Sequence, residues 1–154
     1  MLAIADTLAA ALGRGPVYAK LSGTRGDAAL MTAPDVIAGY QRLISGGPFN
    51  NDVAARIALR ILNYRPGRKL AQVRCPVLLC VCDRDTVAPA RAALAYAETA
   101  AHAVVKRYPV GHFDIYFDAA FEQAVADQLA FLNQHLAPGQ RSDARVSSVS
   151  HPER

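Results

Sequence analysis

The chain has 154 residues, of which 52% are hydrophobic and 19% are charged, and it contains no Trp. This composition excludes general disorder and is typical of one globular domain whose core needs no disulfide bonds. Cys75, Cys80 and Cys82 are odd in number and crowded into one apolar stretch, which favours a reducing compartment and predicts a cytoplasmic protein. No signal peptide or membrane span is expected, because Asp6 interrupts the apolar start and no basic residue precedes Arg14.

The net charge of +4 raises the question of an acidic partner. Six basic residues follow one another with no acid among them: Arg56, Arg60, Arg65, Arg68, Lys69 and Arg74. Arg56 and Arg60 are four positions apart on a predicted helix, and the next three lie in a loop containing Pro66 and Gly67. We therefore favour a solvated basic face over a nucleic-acid site, and we expect neither a nucleic-acid nor a membrane partner.

The first seventy residues are predicted to be wholly helical and loop. Apolar residues at helical spacing predict a helix over the first dozen residues and another over 34–45, where Thr32 and Asp35 have the order of a capping box. A further helix is expected to begin at a cap on Asn50 or Asn51 and to end near Tyr64. Its predicted buried stripe consists of Val53, Ile57, Ala58, Ile61 and Leu62.

The pattern changes at Pro76, where residues 77–82 form an unbroken apolar run typical of a parallel strand covered on both faces. A helix from Pro89, a strand over 103–108 and a long helix with its apolar face between Phe117 and Leu136 are expected to follow. The sequence thus predicts three regions: a helical segment over 1–74, an α/β unit over 75–137 and a disordered tail over 138–154.

Asp85 and His112 follow the two predicted strands directly. If the strands are parallel neighbours, their axes are about 4.8 Å apart and their C-terminal ends meet at one edge of the sheet. The carboxylate would then fix the tautomer of the imidazole and stabilise its protonated form, which prepares a His to act as general base.

The stretches CPVLLCVCDRDTVAP and YPVGHFDIYFDAAFEQAVADQLAFLNQHL resemble the C-terminal part of the α/β-hydrolase family. In that family the acid strand ends in a Gly-x-x-Asp-like turn with a Pro a few residues on, and here Asp85 and Pro89 match while Cys82 replaces the Gly. The family's catalytic His often lies in Gly-His-Phe, as His112 does here. The resemblance implies a partial α/β-hydrolase fold, a helical lid-like segment over 1–74, and hydrolysis of a carboxylic ester or related bond.

The nucleophile of that family lies in a G-x-S-x-G elbow, and no such pentapeptide occurs in the 154 residues. Ser22 and Ser45 have Gly neighbours but lack the elbow spacing, and both are interpreted as loop residues. The sequence therefore predicts a fragment with His112 and Asp85 as its catalytic residues, inactive alone. It would be a truncated gene product, a misplaced start or half of a split enzyme.

Several alternatives stay open. Asp83 is a second candidate for the acid, and Cys80 or Cys82 is a less favoured candidate nucleophile, because both lie on the acid's own strand. No cofactor or metal is expected. The aromatic residues that are candidates for a substrate pocket are Tyr40, Phe49, Tyr64, Phe113 and Tyr116. The rival to the hydrolase hypothesis is a non-catalytic binding module.

Two strands leave one long apolar edge unpaired. We therefore expect self-association or a partner chain that covers this edge, besides a small ester-like substrate in the parent enzyme.

Overall fold

A computed structural model describes residues 1–45 and 47–136, and the predicted tail lies outside the described residues. These described residues are mixed α/β and contain two sheets. Their elements, in chain order, are α1 (Leu2–Ala11), β1 (Tyr18–Ser22), β2 (Ala29–Met31), α2 (Val36–Leu43), β3 (Asp52–Ala54), α3 (Ile57–Asn63), a 3₁₀ helix (Pro66–Gln72), β4 (Val77–Cys82), α4 (Ala90–Ala97), β5 (Ala103–Tyr108), a second 3₁₀ helix (Asp114–Tyr116) and α5 (Asp118–Leu136).

The predicted order of strand, helix, strand and helix after residue 76 is confirmed. β4 and β5 pair in parallel over their whole length, from Val77 opposite Ala103 to Cys82 opposite Tyr108. Helix α4 contacts both strands and α5 contacts β4, so apolar side chains of the sheet pack under helices. Val81, Ala97 and Ala124 form part of this core, each less than a tenth exposed. The ends of β4 and β5 are therefore level, which places the two following loops side by side.

A polar cluster ties α5 to the sheet. The buried hydroxyl of Tyr108 donates to Asp127 Oδ2 at 3.0 Å, and Lys106 Nζ lies 3.0 Å from Asp127 Oδ1. Bonds from Lys106, Gln123 and Tyr108 hold the pKa of Asp127 below its ordinary value. Burial, together with the bonds to Cys80 and Asp127, raises the pKa of Tyr108 above its ordinary 10.0. This cluster fixes the long C-terminal helix against the strands that carry the site.

The expectation that the first seventy residues are wholly helical and loop is wrong. They include a three-stranded sheet in the order β2, β1, β3, with β1 parallel to β2 and antiparallel to β3. Buried Ser22 donates through its N–H and hydroxyl to Asn51 Oδ1, at 2.8 Å each, and the Asn51 amide donates back to the Ser22 carbonyl. Strands of three to five residues are too short to show a clear period, which is why helical spacing dominated the prediction.

Two predicted helix caps are also wrong. The Asn51 side chain is committed to Ser22, and residues 52–54 form a strand where the helix was expected to begin. Asp35 precedes α2 but makes no capping bond, because its carboxylate accepts a hydrogen bond from Thr86 instead. The predicted stripe of α3 is not buried at its C-terminal end, where Ile61 is 54% and Leu62 is 71% exposed.

Asp6 joins α1 to the three-stranded sheet. Its carboxylate is fully buried and accepts bonds from the Val17 N–H at 2.8 Å, the Arg56 N–H at 2.7 Å and Arg56 Nε at 3.0 Å. Burial opposes its ionisation, but these bonds and the Arg56 charge outweigh burial and hold the pKa of Asp6 below 3.8.

Among the described residues, no helix is both long and apolar enough to cross a membrane.

Candidate active site

The loop after β4 holds Asp85 in a fixed orientation. Asp85 Oδ1 accepts the backbone N–H groups of Val87 and Ala88, at 2.8 and 2.6 Å, and the side chain is only 10% exposed. Helix α4 begins later, at Ala90, so Asp85 is not its capping residue. The local turn uses one carboxylate oxygen and leaves Oδ2 for a partner from elsewhere.

The loop after β5 carries His112 to the same edge of the sheet. The carboxylate of Asp114 accepts the Gly111 N–H at 2.9 Å, which closes a tight turn around the imidazole. The Arg84 N–H bonds the Val110 carbonyl at 3.0 Å and the Arg84 side chain donates to the Pro109 carbonyl, so the two loops are bonded to each other. Hydrogen bonds between the two loops, and not the contact of Asp85 with His112 alone, thus fix the spacing between the acid and the histidine.

Asp85 Oδ2 lies 2.8 Å from His112 Nδ1, and the imidazole side chain is 29% exposed. Because an ionised carboxylate can only accept, Nδ1 carries the proton and Nε2 keeps its lone pair. An imidazole held in this way can take a proton at Nε2 while the carboxylate stabilises the resulting cation.

Asp83, the second candidate acid, makes a different contact. Its Oδ1 lies 2.8 Å from Arg107 Nε in an ion pair whose Arg side chain is 60% exposed. The structure therefore brings His112 together with Asp85, whereas Asp83 forms a surface bridge between the ends of β4 and β5.

A cavity of about 440 Å³ opens beside the Asp85 and His112 pair. Its lining comes from β4, the loop after β4, α4, the segment after β5 and α5. Among the described residues β5 contributes nothing to it, so the cavity lies towards the edge of β4 that β5 leaves free. The lining is mainly apolar: Cys80, Val81, Cys82, Asp85, Ala88, Ala90, Ala93, His112, Ile115, Tyr116, Phe121, Ala124, Val125 and Gln128. Such a lining can hold an apolar group next to the histidine.

Cys80 and Cys82 both line this cavity. Burial, and next the charge of Asp85, raise the pKa of the Cys82 thiol, which disfavours the thiolate that an attacking sulfur requires. Cys80 accepts weak contacts from the Tyr108 hydroxyl at 3.7 Å and from Gln128 Nε2 at 4.0 Å. Both cysteines lie on the acid's own strand.

The other candidate residues are spread over the molecule. Of the aromatic candidates, Tyr116 lines the cavity, whereas Tyr40 stacks on Phe49 with ring centroids 5.2 Å apart and Tyr64 is 73% exposed. Ser22 is buried in its bonds with Asn51. Ser45 lies past the end of α2 with a φ of 49°.

Helix α2 contacts the two site loops through Asp35 and Gly39, and neither contact was predicted from the sequence. Gly39 carried a signal, because a Gly inside an apolar helical pattern often marks close packing. The Asp35 contact spans 51 positions and has no local signature.

Two curated proteins are similar to this chain in sequence. The quorum-quenching protein AidA of Acinetobacter baumannii (strain MDR-ZJ06) is 45% identical over 134 residues, which cover 86% of this chain and 44% of AidA. A 31.7 kDa protein from the traX-finO intergenic region of Escherichia coli is 32% identical over 81 residues, 51% of this chain and 28% of that protein. The chain thus spans less than half the length of the curated relatives it matches. No family model matches it.

Solved structures agree on the fold. The α/β hydrolase GrgF from Penicillium sp. sh18 superposes with a TM-score of 0.69 at 22% identity, over 88% of this chain and 48% of GrgF. DcsB, solved in complex with its substrate analogue, gives 0.66 at 20% identity over the same shares. A monoacylglycerol lipase from Paleococcus ferrophilus gives 0.56 at 16% identity, over 86% of this chain and 52% of the lipase. The chain has an α/β-hydrolase-type fold. Within this fold, the described residues contain the part that holds Asp85 and His112.

Proposed function

We propose that this chain supplies the acid and the histidine of a hydrolase that cleaves a carboxylic ester or a related bond. His112 acts as general base and Asp85 orients it and stabilises its charged form. The observation that carries the proposal is the 2.8 Å contact between Asp85 Oδ2 and His112 Nδ1, at the C-terminal ends of adjacent parallel strands and beside an apolar cavity. The α/β-hydrolase-type fold supports it.

The reaction begins when a nucleophilic hydroxyl attacks the acyl carbon while His112 Nε2 removes its proton. The imidazolium, stabilised by Asp85, then gives that proton to the leaving alkoxide as the ester bond breaks. Water repeats the sequence on the acyl intermediate: His112 takes a proton from the water, the acid is released and the nucleophile is protonated again. No G-x-S-x-G elbow occurs in the 154 residues, so the hydroxyl comes from polypeptide outside them.

The substrate proposal rests on the similarity to AidA, which is 45% identical over 134 residues. AidA is named a quorum-quenching protein. We therefore propose that the bond cleaved lies in a quorum-sensing signal that carries an ester or related group. The apolar lining of the cavity suits the hydrocarbon part of such a molecule.

The partner proposal concerns the free edge of β4. Among the described residues β4 pairs with β5 alone. Two cavities are lined by residues of both β4 and α5 and by no residue of β5, and together they follow the chain from Pro76 to Asp85. Unpaired backbone groups on an apolar strand attract another strand. We propose that further polypeptide covers this edge, and that the chain alone is inactive and self-associates. A single monomeric species with cooperative unfolding, seen by sedimentation and thermal scans, would contradict the partner proposal.

The first step is to search the DNA upstream of Met1 for an open frame that encodes a G-x-S-x-G elbow. The direct test is then hydrolysis of p-nitrophenyl butyrate by the chain alone and by the chain combined with a segment that carries such an elbow. Turnover by the combination that is lost in His112→Ala supports the proposal. His102→Ala is the matched control, because His102 is exposed and lies on the turn before β5.

Two outcomes would change the assignment. A combination that assembles with an intact Asp85 and His112 pair but gives no turnover of any ester favours the rival, a non-catalytic binding module. Turnover by the chain alone that is lost in Cys80→Ala or Cys82→Ala assigns the nucleophile to a thiol.

A further inference from the structure

One face of helix α2 contacts all three segments that surround the Asp85 and His112 pair. Asp35, Gly39 and Arg42 are spaced as i, i+4 and i+7 and therefore lie along one face. Asp35 bonds Thr86 next to the acid, Gly39 packs on Phe113 next to the histidine, and Arg42 reaches the start of α5. We propose that α2 is the positioning element of the pair, with Gly39 and Thr86 as positioning residues. The positioning role is independent of the proposed function, and only a catalytic role for the pair rests on it.

The contact with the histidine loop is the tightest. A Cβ placed on Gly39 would lie 2.2 Å from Cδ2 and Cγ of Phe113, so any side chain larger than hydrogen displaces the ring. Phe113 is 6% exposed and its ring also meets Tyr40 edge-on, with centroids 5.3 Å apart. The Phe113 and His112 rings are 4.9 Å apart and near perpendicular, on adjacent residues. A shift of Phe113 therefore moves the backbone that carries the imidazole.

The contact with the acid loop is polar. The Thr86 hydroxyl donates to Asp35 Oδ1, across 51 positions of sequence. Thr86 directly follows Asp85, and the next two residues donate their N–H groups to Asp85 Oδ1. The bond to Asp35 therefore holds the turn that orients the carboxylate.

The third contact is more exposed and lies further from the pair. Arg42 Nη2 is 2.7 Å from Asp118 Oδ2, and the guanidinium carbon lies 3.8 Å from the centroid of the Phe117 ring. Both charged side chains are about half exposed or more, so solvent screens their attraction. This contact lies at the C-terminal end of α2 and contributes little, whereas Gly39 and Thr86 set the distance between acid and imidazole.

The test follows the Nδ1 proton of His112 by NMR in the full 154-residue chain, which requires no turnover. A proton held in a 2.8 Å bond to a carboxylate gives a low-field resonance that exchanges slowly with water. In Gly39→Ala we expect this resonance to disappear or to exchange about tenfold faster. The matched control is Gly67→Ala, where a Cβ would lie equally close, 2.2 Å, to Cδ2 of Tyr96, away from the pair.

A second substitution that restores the His112 resonance distinguishes a positioning role of Gly39 from a general loss of structure in Gly39→Ala. Phe113→Leu in the Gly39→Ala background makes room for the new methyl group and is expected to restore the slow resonance. If Gly39→Ala does not fold, Thr86→Val decides, because it keeps the side-chain shape and removes only the hydroxyl donor. We expect faster exchange of the His112 proton and of the Val87 and Ala88 amides in that variant. Thr99→Val, which loses an exposed hydroxyl bond to the Tyr96 carbonyl, is its control.

The proposal is overturned if a folded Gly39→Ala chain keeps the His112 resonance unchanged. It is also overturned if Gly67→Ala weakens that resonance as much as Gly39→Ala does. Failure of the hydrolysis assay has no bearing on either result, since the resonance is measured in the resting chain.

Discussion

Asp85 divides its carboxylate between two tasks, since Oδ1 accepts two backbone N–H groups of its own loop while Oδ2 meets His112 Nδ1 at 2.8 Å. The two backbone bonds at Oδ1 fix the orientation of the carboxylate and so the position of Oδ2, which contacts His112. A substitution that preserves shape but replaces the Oδ2 acceptor with a donor therefore leaves the first task intact and removes the second.

Asp85→Asn is that substitution. The amide oxygen can still accept the loop N–H groups, but the amide nitrogen then donates to His112 Nδ1, so the imidazole proton moves to Nε2 and Nε2 can no longer accept one. We expect kcat/KM of the combined enzyme on a p-nitrophenyl ester to fall by about 10³- to 10⁴-fold, with little change in thermal stability. Asp83→Asn, which breaks only the exposed pair with Arg107, is expected to keep kcat/KM within about twofold. Equal losses in the two variants would contradict the assignment of the acid.

Asp6 predicts a pH-dependent stability of the N-terminal region. The pKa of its carboxyl is lower in the folded chain than the unfolded value of 3.8, because the bonds from Arg56 and Val17 outweigh the cost of burial. The stabilisation is therefore complete above about pH 4 and is lost as the pH falls through the folded pKa. Asp6→Asn should be less stable than the wild type at pH 7 and should lose less stability on acidification.

The measurement is the free energy of unfolding from urea titrations between pH 7 and pH 3. Asp52→Asn removes an exposed carboxylate from a neighbouring strand and controls for the change in net charge. An Asp6→Asn chain with the same acid dependence as the wild type would exclude Asp6 as the source.

Tyr108 should contribute to stability through its hydroxyl. The group is buried and donates to Asp127, so Tyr108→Phe is expected to lower the free energy of unfolding by about 1 kcal/mol. Because its pKa is raised above 10.0 in the folded chain, this contribution is present below pH 10 and is lost as the pH rises further. Tyr64→Phe, at a side chain that is 73% exposed, is the control and should be neutral in denaturant titrations.

The three thiols should differ in reactivity. Cys75 is exposed, Cys80 is partly buried, and Cys82 is buried with a raised pKa. We expect iodoacetamide at pH 8 to modify Cys75 at least about tenfold faster than Cys82, as followed by mass spectrometry of peptides. Fast, selective modification of Cys82 would instead point to an activated thiol beside His112.

The part of the fold that carries the pair was predictable from local patterns. An unbroken apolar run, a Pro before a helix and a second short strand define β4, α4 and β5, and parallel pairing then brings Asp85 and His112 together. The three short strands were not predictable, because Ala29–Met31 and Asp52–Ala54 are three residues each and gain their register from β1. The role of Asp35 was misassigned for a related reason: its partner Thr86 is 51 positions away, and no local pattern reports such a contact.

Asp85 and His112 both come from one strand–helix–strand passage of consecutive chain. Their contact closes a loop of 27 positions, so bringing the two groups together costs little chain entropy. A polypeptide that begins before Asp35 keeps the acid, the histidine and helix α2 in one chain, and only the attacking hydroxyl would have to arrive in trans. An active enzyme assembled from two separately encoded chains is therefore compatible with this architecture. The chain that contains Asp85 and His112 already holds them together and loses little conformational entropy on assembly.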